Sequence, residues 1–326
     1  SYMVSNVNGI KKITVGEGVQ YVGRYFIYNL KDCDLTVYFP DGMNITAGYL
    51  ACGTTGCKIE IRLPSDATEI GANSFSNSST SEPENGWTEF TMTLPEAIEV
   101  IPRYFFGGCD VTNVVFPKNI KTLSGRSFYY CVRETEFVIP KTLETIYGCA
   151  FYYSNFSHIT FEEGMVEIPD ALAHQEYTGS GGYPTNYYYP FYYTTIGEMT
   201  LPSTLNTIGR YFLYYAKGKA KLVLPEGLKN VGAYAFYYNK NIYELYLPTT
   251  VEFVDGNTAF SGWTEEQTIY STLDRTATMA VWGASINATT FKGNVVYDYV
   301  PTPEQTENSV EIAIEGEVAF VDNKQD

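Results

Sequence analysis

The chain has 326 residues with 21 basic against 37 acidic side chains, a formal charge of −16. A surface this negative repels phosphate backbones and anionic lipid, which sets aside nucleic acid and membrane surfaces as principal partners. With 44% apolar and 18% charged residues there is ample material for a core, yet no apolar run reaches the roughly 18 residues of a bilayer span.

From the N-terminus onward, a short apolar strand ending in Leu-Pro or Phe-Pro returns at near-constant spacing. The landmark prolines are Pro40, Pro64, Pro95, Pro117, Pro140, Pro202, Pro225 and Pro248. Gly16 and Glu162 hold the same register, and Ser271 marks a degenerate last copy. The intervals are 24, 24, 31, 22, 23, 22, 40, 23, 23 and 23 residues. Such a period signals stacked repeats. Proline suits the landmark because it ends a strand where ladder bonding stops.

Positions three and one before each landmark are apolar in every copy: Ile13 and Val15, Val37 and Phe39, Ile61 and Leu63, Met92 and Leu94, Val114 and Phe116, Phe137 and Ile139, Ile159 and Phe161, Met199 and Leu201, Leu222 and Leu224, Leu245 and Leu247. They alternate with more polar neighbours, the pattern of a strand with one buried face. A second apolar pair follows three and six residues past the landmark, as in Val19 and Val22 or Ile98 and Ile101. An aromatic plug comes eleven past it: Phe75, Phe106, Phe128, Phe151 and Phe236. A unit of about 23 residues cannot bury these edges alone, so the units form a one-dimensional solenoid.

Two long intervals are insertions. One, near residues 76–87, is small and polar and reads as a loop. The other, 170–193, carries Tyr177, Tyr183, Tyr187, Tyr188, Tyr189, Tyr192 and Tyr193. The reading is a solenoid over 1–271, a C-terminal cap over 272–300 and, over 301–326, a linker rich in Pro, Glu and Thr with a tail that pairs as a hairpin or begins a further element.

The string LVLPEGLKNVGAYAFYYNKNIYELYLP (222–248) resembles the leucine-rich repeat of the BspA type, found in bacterial and some protozoan surface proteins. The likeness runs over about residues 10–271. It implies a right-handed leucine-rich repeat solenoid of about eleven rungs, with a curved parallel sheet on the concave side and short helical or irregular turns on the convex side. It also implies a secreted or surface-displayed protein that binds rather than catalyses, its export signal removed or outside this sequence. The copies at Gly16, Pro40 and Glu162 depart from the repeat at the proline or aromatic positions. Cys109 and Cys131 fall where the repeat places a cysteine, and Asn239 takes that place in another copy.

Strand residues four before the landmark face outward, among them Glu136, His158, Glu198, Lys221 and Glu244. Adjacent rungs lie about 4.8 Å apart, so these form a line of mostly alternating charge. It reads either as a cluster for a cation or polar ligand or as a solvated ladder that keeps rungs in register. One histidine between carboxylates is too sparse for zinc, and no metal or cofactor is expected. Cys33 and Cys57 both lie seven before a landmark in adjacent rungs, within reach of a disulfide, although repetition alone explains that spacing. Catalytic signatures are absent: no His-Glu-x-x-His, no phosphate loop, no Gly-x-Ser-x-Gly and no dinucleotide fingerprint.

The leading candidate surface is a series of Tyr-Tyr pairs placed alike in successive turns: Tyr129 and Tyr130, Tyr152 and Tyr153, Tyr192 and Tyr193, Tyr214 and Tyr215, Tyr237 and Tyr238. Stacking aligns them on one flank beside the tyrosine-rich insertion. Tyrosine has a large apolar body, a polar tip and few rotors to freeze, which suits contact with protein or sugar. The competing reading makes one ring of each pair packing and the other an ordinary surface aromatic. The function expected is a non-enzymatic surface adhesin or binding protein for a protein or glycan. The alternatives are a rigid spacer in an extracellular or envelope assembly and, more distantly, a glycan-processing enzyme. The sequence leaves the ligand, the mode of attachment and the oligomeric state open.

Overall fold

A computed structural model of the chain describes residues 3–7, 9–77, 86–172, 174–175 and 186–301. The apolar strands stack side by side into a single long parallel sheet, thirteen-stranded among the described residues. The strands are β1 (Lys12–Thr14), β2 (Asp34–Tyr38), β3 (Lys58–Arg62), β4 (Thr88–Thr93), β5 (Cys109–Asp110), β6 (Val114–Val115), β7 (Val132–Ile139), β8 (Asn155–Phe161), β9 (Thr195–Thr200), β10 (Lys217–Val223), β11 (Lys240–Leu247), β12 (Thr268–Ser271) and β13 (Asn294–Val296). β5 and β6 belong to one rung, and both pair with β4. The chain thus makes about eleven turns, each adding one strand beside the last.

Register superimposes like on like. Val37 pairs with Ile61, Ile61 with Met92, Phe137 with Ile159, Ile159 with Met199, and Leu222 with Leu245. A slip of one residue would turn a whole column outward, so burial itself fixes the pairing. Ile13, Leu63 and Phe116 are half-buried against the core, and the remaining members of the column pair are buried. Val19 departs from the sequence pattern: at 41% exposure it faces outward, and Val22 alone serves that turn.

The five plug phenylalanines have no exposed surface. Phe106 stacks on Phe128 at 6.0 Å and 20°, and Phe128 on Phe151 at 5.0 Å and 3°. Phe191, delivered from the end of the second insertion, continues the stack at 4.7 Å and 8°. Leu213 and Ala259 fill the plug position in two later rungs and are equally buried.

The turns opposite the sheet are irregular, and they are tied by two-residue parallel ladders where helical turns were an option. Phe75–Ser76, Phe106–Gly107 and Phe128–Tyr129 form one such set, and Glu167–Ile168, Thr207–Ile208, Asn230–Val231 and Phe253–Val254 another. One α-helix occurs among the described residues, α1 (Arg275–Ile286), started by the Asp274 side chain accepting from the Ala277 amide at 2.8 Å. Trp282 on α1 stacks over Phe260 at 5.5 Å and 23°, closing the core, and β13 carries the sheet one strand past Ser271 through Ile269 and Val295.

In the second insertion His174–Gln175 pairs antiparallel with Asn186–Tyr187. Residues 78–85 of the first insertion and 176–185 of the second, with Tyr177 and Tyr183, lie outside the described residues, as does the 302–326 tail, expected as a hairpin or the start of a further element.

Because Phe128 contacts plugs on both sides, Phe128→Ala should cost about 3–5 kcal/mol through lost burial and an unfilled cavity. Val115, 57% exposed on the outer face, should tolerate Val115→Ala within about 0.5 kcal/mol. Urea unfolding of both variants checks the contrast.

Candidate functional site

The tyrosine pairs owe their position to an unusual backbone. Tyr130, Tyr153, Tyr193, Tyr215 and Tyr238 adopt the left-handed conformation, with φ of 52, 55, 56, 56 and 44°. In a regular strand successive side chains point to opposite faces and cannot meet. The left-handed turn places both rings of a pair on one side: Tyr129 and Tyr130 lie 4.7 Å apart at 72°, and Tyr152 and Tyr153 4.7 Å apart at 88°. Non-glycine residues resist this region at a cost of about 1 kcal/mol or more each. The conformation is held by ladder bonds, such as Tyr130 N–H to the Tyr152 carbonyl at 3.0 Å and Tyr215 N–H to the Tyr237 carbonyl at 3.0 Å.

Across rungs the rings form two columns. In the first, Tyr129 stacks on Tyr152 at 5.8 Å and 17°, Tyr152 on Tyr192 at 5.8 Å and 15°, and Tyr214 on Tyr237 at 4.8 Å and 9°. In the second, Tyr130 stacks on Tyr153 at 5.0 Å and 1°, Tyr153 on Tyr193 at 4.8 Å and 7°, and Tyr215 on Tyr238 at 5.1 Å and 4°. The stack is looser where 192 and 193 meet 214 and 215, with rings tilted by 40 and 39°. Nine of the ten rings are half-buried and Tyr238 is exposed. Both rings of each pair therefore pack, and both keep an outer edge in solvent. Burial pushes the phenols of Tyr129, Tyr130, Tyr153, Tyr192, Tyr214, Tyr215 and Tyr237 upward, and that of Tyr152 to about 12.

The insertion joins the same flank. Tyr188 stacks on Tyr211 at 5.6 Å, and Tyr189 lies on Tyr214 at 3.9 Å and 9°. Tyr187 sits on the short antiparallel pair with His174.

The pair motif in the sequence did not disclose a third column. Tyr25, Tyr49, Tyr104, Tyr211 and Tyr234 all sit nine residues past a landmark with positive φ, and Tyr211 stacks on Tyr234 at 5.1 Å. Its spacing was present in the sequence, interrupted by Asn73, Arg126 and Cys149. Arg126 uses its place differently: its guanidinium lies 4.7 Å from the Tyr152 ring centre and 5.2 Å from that of Tyr129, and it donates to the Tyr104 hydroxyl at 2.7 Å. Lys217 sits 4.3 Å from the Tyr193 ring. Two cations thus face the electron-rich rings from within an acidic protein. At the far end Gly262 (φ +82°) abuts Tyr238, where an added Cβ would come within 2.5 Å of the ring.

On the outer face of the sheet the expected charge line exists in register, with Glu136 opposite His158, His158 opposite Glu198, and Lys221 opposite Glu244. Its members turn to different partners. His158 Nδ1 lies 3.9 Å from Glu198, while Nε2 contacts Thr200 and Thr160 at 3.1 and 3.2 Å. Glu136 accepts from Thr160, Glu244 accepts from the Tyr246 hydroxyl at 2.9 Å, and Lys221 lies over the Tyr246 ring at 4.9 Å. Beside this line Arg133 is buried, donating to the carbonyls of Val111, Val114 and Glu136 at 2.5 to 3.1 Å. Burial lowers its pKa to about 10. Among the described residues no group of three or more His, Cys, Asp or Glu is placed to hold a metal ion, and no helix is long and apolar enough to cross a membrane.

All six cysteines are free thiols, Cys33 half-buried and the others buried. The position shared by Cys109, Cys131 and Asn239 is internal. Asn239 bonds the Leu213 carbonyl at 2.8 Å and receives the Ile242 amide at 2.7 Å, satisfying the turn.

A family model described as "BspA type Leucine rich repeat region" matches the chain in six copies, over residues 1–84, 87–175 and 185–298. Among solved structures the chain is similar to a leucine-rich repeat protein from Bacteroides ovatus, at 17% identity and a TM-score of 0.39, covering 78% of this chain and 64% of that one. The chain thus spans somewhat under two thirds of that protein. No curated protein matches.

The raised phenols fix a pH response. A folded-state pKa above the unfolded value of about 10 favours the protonated form in the fold, so that contribution is fully present below pH 10. It is lost as pH rises toward the value of about 12 at Tyr152. Tyrosinate absorbance should therefore show a fraction of rings ionising above pH 10, and urea midpoints should fall between pH 10 and 12. Native-state ionisation of all tyrosines near pH 10 would contradict the stacking.

Proposed function

The chain belongs to the BspA-type leucine-rich repeat family, and on that premise we propose that it is a non-enzymatic surface or secreted adhesin whose tyrosine flank grips a partner protein. The family assignment supports a surface or binding role. What favours the flank over other faces is that two columns of half-buried rings, from Tyr129 to Tyr238, are already locked by stacking and ladder bonds. Rings ordered beforehand lose little further entropy when a partner covers them. Their hydroxyl tips add directional contacts, as in other tyrosine-rich recognition surfaces. The partner fitted to this flank is a neutral or basic protein surface, given the net charge of −16; a glycan, which also stacks on aromatic faces, is the second chemistry.

A rigid spacer is the competing reading, and the continuous hydrophobic spine favours it. In that case the rings serve as glue between rungs and nothing docks on them.

The two readings separate in one experiment. Wild type, Tyr153→Ala/Tyr193→Ala and Tyr187→Ala/Tyr188→Ala/Tyr189→Ala are applied to protein and glycan arrays, with circular dichroism confirming the fold. A flank binder loses at least tenfold in affinity in the first variant, the loss expected on removing central aromatic anchors. Undiminished binding by both variants overturns the flank assignment, and a wild type that captures nothing supports the spacer.

A further inference from the structure

The N-terminal rungs lack what ties the later ones together. At the plug position they carry Ile27 and Ala51 where the next four rungs have phenylalanine, and at the second tyrosine position Asn29 and Gly53. In these same two rungs two thiols face each other. Asp34 of β2 pairs with Lys58 of β3, so the residues just before them, Cys33 and Cys57, occupy matching places on adjacent parallel strands. The spacing of neighbouring strands lies inside the Cα range of 4.4–6.8 Å that a disulfide needs. The Cys33 amide donates to the Cys57 sulfur at 3.4 Å, and the Lys58 amide donates to the Cys33 carbonyl at 2.7 Å.

We propose that Cys33 and Cys57 are a redox-active dithiol that closes to a disulfide between the second and third rungs when the protein meets a small-molecule disulfide such as oxidised glutathione. Cys33 is the half-exposed member and Cys57 is 1% exposed, so the external disulfide meets Cys33. Hydrogen bonding between the two groups pushes the Cys33 thiol up and pulls the Cys57 thiol down, so the first charge of the pair rests on Cys57. Cys33 passes its proton to that thiolate, and from there to solvent, as its sulfur attacks one sulfur of the reagent, releasing one glutathione thiolate and forming a mixed disulfide. The Cys57 thiolate then attacks the Cys33 sulfur and expels the second. Two protein thiols are oxidised by two electrons, and one glutathione disulfide is reduced to two thiols. The Cys33 hydrogen bonds hold Cys57 toward the thiolate, and the amide bond persists after the Cys33 proton has gone.

The other thiols supply an internal contrast. Cys109 and Cys131 also neighbour one another across rungs, but both are sealed in the core with at most 1% exposure, and burial holds Cys109 protonated. Cys52 and Cys149 are likewise buried, and both thiols are pushed up to about 12. Exposure of Cys33, the one thiol of the six that is not buried, therefore confines the reaction to one pair.

To test this, the native chain is equilibrated with oxidised glutathione, denatured in excess maleimide without reductant, and cleaved with trypsin and chymotrypsin. The proposal requires fragments 32–38 and 51–58 joined through Cys33 and Cys57, with Cys52, Cys109, Cys131 and Cys149 all carrying maleimide. The thermal midpoint should rise by a few degrees, reversibly with dithiothreitol, because the bond closes a loop across two rungs. Cys33→Ser, altering the half-exposed member, should abolish the rise. Recovery of Cys33 and Cys57 as maleimide adducts, a stable glutathione adduct on Cys33, or a bridge to Cys52 would each overturn it.

Discussion

Every feature of the molecule depends on the registered stacking of rung on rung. One rung presents an apolar edge on its strand and another on its turn, and neither finds cover within its own 22 to 24 residues. Neighbouring copies supply the cover, and because the parallel ladder sets residue opposite residue, each chemical choice is repeated along an axis. Phenylalanine meets phenylalanine inside and tyrosine meets tyrosine outside. What is a weak pairwise contact in one rung becomes a column, and aromatic pairs at these separations contribute about 0.5–1.5 kcal/mol each beyond their burial.

This periodicity is why so much of the architecture was legible. The alternation at Val37 and Phe39, or at Leu245 and Leu247, states strand, buried face and register together, since the next copy repeats it at a fixed distance. What escaped was anything depending on backbone sign. Nothing in the identity of Tyr130 or Tyr211 announces a left-handed φ, because tyrosine seldom adopts it and the cause lies in the carbonyls of the neighbouring rung. The third tyrosine column was hidden for the same reason, its periodicity broken where Asn73, Arg126 and Cys149 take the place. Local sequence misled at Val19, whose apolar character fits the inward column while the irregular first turn leaves it outside. Charge fared in between: the outer line of Glu136, His158 and Glu198 was placed in register, but Glu136 and His158 found threonine hydroxyls nearer than their opposite numbers.

The flank and the outer sheet face use polar chemistry in opposite ways. On the flank, Arg126 and Lys217 lie against rings and spend their charge on π faces, leaving the surface aromatic. On the sheet, threonines at 160 and 200 bind the imidazole and a carboxylate, leaving the surface hydrophilic and solvated. Arg133 shows the same economy beneath that face, with its guanidinium N–H groups taken up by backbone carbonyls in place of a carboxylate. An acidic chain thus keeps several of its few cations away from water.

The seat of α1 has a consequence for how such a chain changes length. Its tryptophan rests on Phe260 and, among the described residues, β13 pairs with β12, so the lid rests on the last described rungs. Duplicating or deleting an interior module of about 23 residues leaves that junction untouched, and each duplication lengthens all the aromatic columns in phase. Descendants of this gene can therefore scale their reach in whole modules, without rebuilding the helix that covers Phe260.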